Sequence, residues 1–112
     1  MDGDLKMGRI LIYPHLFHRA TAGKEAEKLK KKGDVIDFLY FATRFDDIFE
    51  EEVEKRMADI VKKYKDDEVV FVLLGYSPLV ATIYKIAEAK GYKTVYFVKQ
   101  YGDTVEKEII RR

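Results

Sequence analysis

Residues 68–91, EVVFVLLGYSPLVATIYKIAEAKG, restrict the possible architecture more than any other part of the chain. Positions 69–74 form an unbroken apolar run, rich in Val and closed by Gly75. A strand without polar alternation needs cover on both faces, which is the condition of a central strand in a parallel sheet. Gly75-Tyr76-Ser77-Pro78 follows and passes at once into a helical pattern. Ser77 reads as the N-cap, Pro78 as the first helical residue and Gly91 as the left-handed residue beyond the end. A buried strand that turns sharply into a helix leaves backbone N–H groups at the carboxyl edge of the sheet. Open α/β folds bind ligands there, anionic ones above all.

The remaining elements arrange themselves around this unit. Residues 1–8 read as a flexible leader, with Met7 as a second potential start, and 9–112 as a single domain. RILIYP at 9–14 is the first strand, ended by Pro14. The loop HLFHRATAG leads to a helix over 23–32, capped near Thr21, with Ala22, Ala26 and Leu29 inward and Gly33-Asp34 as its stop. Its closing lysines, Lys30 to Lys32, complement the helix dipole. VIDFLYFA at 35–42 is the second strand, β-branched and aromatic. A helix over 47–64, capped by Thr43 or Asp46, carries Phe49, Val53, Met57, Ile60 and Tyr64 on one face. Acidic residues crowd its start and lysines its end, again the order the dipole favours.

KTVYFVKQY at 93–101 is the fourth strand, and Gly102-Asp103 a hairpin signal. Residues 105–112 then return as a charged antiparallel edge strand, with a short helix as the alternative. The pattern predicts a small Rossmann-like three-layer α/β sandwich, mainly parallel, with an antiparallel C-terminal edge strand. A spatial order 2-1-3-4 places the topological switch point between strands one and three.

Composition excludes several classes. There is no Cys, hence neither disulfide nor thiolate metal site. The formal net charge of +1 argues against a duplex-DNA binder, which carries a basic surplus. The charged start MDGDLKMGR is not a signal peptide, and no apolar run approaches the roughly 18 residues of a membrane helix. These features predict a soluble cytoplasmic protein with no membrane partner. Abundant Lys and Glu beside a single Gln and no Asn match the composition of hyperthermophile proteins.

No GxGxxG, GxxxxGK[ST] or GxSxG frame occurs. His15 and His18 in an HxxH spacing, without cysteines, make a poor metal signal, so no metal and no cofactor is expected. What remains is a constellation at the carboxyl edge. Tyr13, His15, His18 and Arg19 follow strand one, Thr43 and Arg44 strand two, Gly75, Tyr76 and Ser77 strand three, and Lys99, Gln100 and Tyr101 close strand four. Imidazoles exchange protons near neutral pH, Arg19, Arg44 and Lys99 can neutralise phosphate, and tyrosine rings can stack on bases. Each has a plainer reading: Ser77 as a helix cap, Tyr76 packed on a helix, one histidine simply at the surface.

RILIYPHLFH, EVVFVLLGYSP with its helix, and KGYKTVYFVKQ with the VEKEI tail resemble the small stand-alone CARF (CRISPR-associated Rossmann fold) proteins, particularly compact ring nucleases. The resemblance covers most of the chain. It implies binding and metal-independent cleavage of a cyclic oligoadenylate messenger of type III CRISPR signalling, in a cleft between the subunits of a homodimer. In that reading the ribose 2′-OH attacks the adjacent phosphate. His15 or His18 transfers protons, Lys99, Arg19 and Arg44 face the phosphate, and Ser77 fixes the backbone. The alternative is a non-catalytic sensor or sponge with the same cleft.

Overall fold

In the computed structural model the structure describes residues 8–16, 30–31 and 33–110. The strands are β1 (Arg9–His15), β2 (Val35–Tyr40), β3 (Glu68–Val72), β4 (Lys93–Gln100) and β5 (Asp103–Glu108). Among the described residues two helices, α1 (Glu50–Lys63) and α2 (Ser77–Lys90), follow β2 and β3 respectively. The strands form one five-stranded sheet in the order β2-β1-β3-β4-β5, parallel except for the antiparallel β4–β5 pair. The expected order is therefore observed, with the switch point between β1 and β3, in a small Rossmann-like α/β architecture.

Alternation along the central strands divides the core into two clusters. Ile10, Ile12, Leu39 and Phe71 pack with Val53 and Met57 of α1 and with Leu79, Ile83, Ile86 and Ala87 of α2. Both described helices therefore lie on one face. Leu11, Tyr13, Val70, Val72 and Val95 form the second cluster on the opposite face, flanked by Ile36, Phe38 and Phe97. Burying an aliphatic side chain of this size contributes about 1.5–3 kcal/mol, so β1 and β3, buried on both sides, are held at the centre. The helix expected over 23–32 lies outside the described residues, as do 1–7 of the expected leader. Gly8 is already packed: a Cβ there would lie 1.8 Å from the Gly33 carbonyl oxygen.

Several boundaries differ from the sequence reading, each for a local reason. β1 continues past Pro14 to His15, because the β1–β2 register passes from Tyr13↔Phe38 to His15↔Tyr40 and asks no hydrogen bond of the proline. β2 stops at Tyr40 and β3 at Val72, each two residues early. Helix α1 begins at Glu50, with Phe49 at the N-cap and no side-chain cap, so neither Thr43 nor Asp46 caps it. Acidic side chains in its first turn serve the dipole instead. The hairpin turn is Tyr101-Gly102, one residue earlier than expected, because Gln100 pairs with Asp103. Both turn residues have positive φ, 53° and 84°, as a type I′ turn requires. The C-terminal segment is a strand, not a helix, and it ends at Glu108.

A partly buried ionic cluster ties the amino edge together. Arg9 donates to both Asp34 oxygens, at 3.3 and 2.8 Å, and to both Glu106 oxygens, at 2.7 and 3.1 Å. Glu106 on β5 thus anchors the hairpin to β1 rather than merely charging an edge. Hydrogen bonds from the Arg9 side chain and from the backbone N–H groups of Lys31 and Arg9 outweigh burial and hold the Asp34 carboxyl below its ordinary range. The two carboxylates in turn raise the Arg9 guanidinium further above its own. Among the described residues, no helix is long and apolar enough to cross a membrane.

Candidate functional site

The carboxyl edge is built where the end of β1 meets the turn between β3 and α2. Gly75 has φ +142°, and a Cβ there would lie 2.6 Å from His15 Nε2, so both backbone and space require glycine. The imidazole fills that place and bridges two backbone groups. His15 Nε2 accepts the Tyr76 N–H at 2.9 Å, and Nδ1 lies 2.7 Å from the Leu16 carbonyl oxygen. A nitrogen that accepts an N–H carries the lone pair, so the proton resides on Nδ1 and is donated to Leu16. His15 is a strut between β1 and the turn.

This strut changes the capping of α2. Tyr76, still extended at φ −61° and ψ 117°, holds the N-cap position, and no side chain caps the helix. Ser77 is already helical and cannot cap, contrary to the sequence reading; Pro78 is therefore the second helical residue, one place later than expected, still within the first turn. Thr82 Oγ1 donates to the Pro78 carbonyl, and Val80 N–H to that of Tyr76. The first-turn N–H groups of Ser77 and Leu79 have no acceptor within the helix. At the other end Gly91 adopts the expected left-handed conformation, φ 78°.

Phe45, which sequence reasoning did not single out, organises the rings at this edge. It stacks on Tyr76, with centroids 5.7 Å apart and planes 11° from parallel. It also meets His15 edge-on at 5.4 Å and Tyr40 at 5.5 Å. Arg56 of α1 lies 4.0 Å over the Tyr40 ring and donates to the Leu39 carbonyl and to Glu52. Burial and the nearby Glu52 carboxylate raise the Tyr40 hydroxyl above its ordinary range, with Arg56 partly offsetting them. The only sequence sign of this cluster is the density of aromatics around 38–45.

The other candidates scatter. Gly75, Tyr76 and Ser77 are exposed at the turn, beside half-buried His15, and Thr43 and Arg44 are exposed on the loop that carries Phe45. Tyr13 is wholly buried in the second-face cluster, its ring 6.4 Å from Phe38, and lines no open surface. Lys99 and Gln100 are exposed near the tip of the β4–β5 hairpin. Alternation from Val95 and Phe97 puts Lys99 on the face away from α2 and Gln100 on the α2 side. His18 and Arg19 lie outside the described residues. Among the described residues no group of three His, Asp or Glu gathers as a metal site. No family model, curated protein or solved structure matches the chain.

Proposed function

We propose that this domain binds a small nucleotide at the carboxyl edge of its sheet. The observation that carries the reading is the turn at the switch point. His15 holds Gly75-Tyr76 in place, the half-exposed Tyr76 ring is backed by Phe45, and the first turn of α2 supplies N–H groups beside it. A ring face for a base beside amides for a phosphate suits a nucleotide. Cyclic oligoadenylate is the ligand class implied by the resemblance of RILIYPHLFH and EVVFVLLGYSP to CARF proteins. A two-fold symmetric ring suits a homodimer whose paired clefts form one site.

Binding, as a sensor or sponge, is favoured over cleavage by His15, whose two ring nitrogens are both engaged by the backbone. Cleavage by 2′-OH attack would then rest on His18, with Arg44, exposed on the loop that carries Phe45, for the phosphate charge. Incubation with cyclic tetra-adenylate in EDTA, followed by chromatography and calorimetric titration, separates these outcomes. A bound and intact ring supports the binder. A linear product supports the ring nuclease, and absence of binding refutes both.

A further inference from the structure

A flat sheet could not bring Glu106 to Arg9. Arg9 pairs with Glu68, and Val70 with Lys93, so Arg9 stands level with the start of β4, near Gly91. Glu106 stands opposite Phe97, about six residues further along and three strands across. At about 3.3 Å per residue and 4.8 Å per strand, a flat sheet would hold the two Cα atoms about 24 Å apart, beyond the reach of both side chains. Yet the guanidinium donates to both Glu106 oxygens, at 2.7 and 3.1 Å. Both residues belong to the second face, Arg9 by alternation with Leu11 and Glu106 by standing opposite Phe97. Beyond Val95, therefore, the β4–β5 ribbon coils back over that face, where Phe97 packs on the cluster. Two-stranded ribbons twist most strongly of all, which allows it.

The ribbon is held lightly. Pairing of β4 with β3 ends at Val72↔Val95, with one further hydrogen bond from Leu73 N–H to the Val95 carbonyl. Residues 96–100 pair with β5, the last strand of the sheet, and not with β3 among the described residues. From the body of the domain Arg9 bridges to Glu106, and Lys93 adds a looser pair with Glu108 at 3.9 Å. Breaking a buried ion pair is costly when one charge is left without compensation. Here none is stranded. Arg9 keeps Asp34, whose side chain is 2% exposed, at 3.3 and 2.8 Å, whereas Glu106, 19% exposed, passes into water. Arg9–Asp34 is the fixed half of the cluster and Glu106 the releasable half.

We propose that the β4–β5 ribbon is a hinged strap over the second face, closed by the Glu106–Arg9 latch and opening at Val95-Tyr96 while the central strands stay folded. Opening bares Phe97 and the part of the cluster beneath it. A two-stranded ribbon detached from its core is marginal in water, so release also exposes its amides. The test is amide hydrogen exchange of the wild-type protein and of Glu106→Gln at low urea concentrations. Ribbon amides of residues 97–107 should exchange at least about tenfold faster than those of Leu11, Ile12, Val70 and Phe71, with a weaker dependence on urea. Glu106→Gln should speed them about tenfold more, as weakening of a charge-assisted contact predicts. A single rate and urea slope shared by ribbon and central strands, or a ribbon rate unchanged in Glu106→Gln, overturns the proposal.

Discussion

A methyl group added at Gly75 has no room while His15 keeps its place. The added Cβ would lie 2.6 Å from Nε2 and 3.1 Å from Cδ2, and the ring cannot easily yield. It is held at both nitrogens and met edge-on by Phe45. Gly75→Ala therefore combines backbone strain of about 1–3 kcal/mol at φ +142° with overlap of about 1–3 kcal/mol. His15→Ala alone removes two hydrogen bonds, about 1 kcal/mol each. It also removes the obstacle, so in that background Gly75→Ala should cost only the backbone part. Urea unfolding of the four proteins, followed by circular dichroism, should show the double variant about 1–3 kcal/mol more stable than the sum of the singles predicts. Additivity within about 0.5 kcal/mol would refute the contact between ring and turn.

Acid should weaken the fold through two carboxylates. Burial works against ionisation of both, yet hydrogen bonds from Arg9 to Asp34, and from Tyr64 and Lys63 to Asp37, hold each below the ordinary carboxylate range. A lowered folded value means that their stabilisation is present above about pH 4 and lost as pH falls through the folded values. Urea midpoints measured between about pH 6 and pH 2 should drop, and Asp34→Asn should flatten the drop. Phe45→Ala should destabilise by about 2–3 kcal/mol, through ring contacts with Tyr76, His15 and Tyr40. A urea-midpoint change worth under about 0.5 kcal/mol would show that the cluster is not packed. If the protein turns over cyclic tetra-adenylate, His15→Gln should preserve the rate, because the amide oxygen can accept the Tyr76 N–H in place of Nε2. Lost turnover at unchanged affinity would return His15 to proton transfer.

The sheet was legible because its signals are local. An unbroken apolar run marks β3 as central, and Gly91 stops α2 where a left-handed residue is needed. The site was less legible because its decisive contacts are not local. Ser77 has the chemistry of a cap, but His15, 61 positions before Tyr76, takes the Tyr76 N–H and the helix starts at Ser77 itself. Tyr13 belongs by sequence to the edge constellation, yet alternation turns it into the second-face core. Lys99 sits at the expected end of β4, but the same alternation points it away from Tyr76. Phe45 follows no motif, and only the fold brings its ring onto Tyr76. Pattern predicts which face of an element is apolar; which remote group meets a turn depends on tertiary packing.

Amide chemical-shift mapping locates ligand on the sheet most directly. On titration with cyclic tetra-adenylate, the amides of Phe45, Gly75, Tyr76, Ser77 and Leu79 should move together and saturate at one affinity. Changes concentrated instead at the amino edge, around Glu68, Gly91 and Lys93, would contradict a site at the β1–β3 switch point.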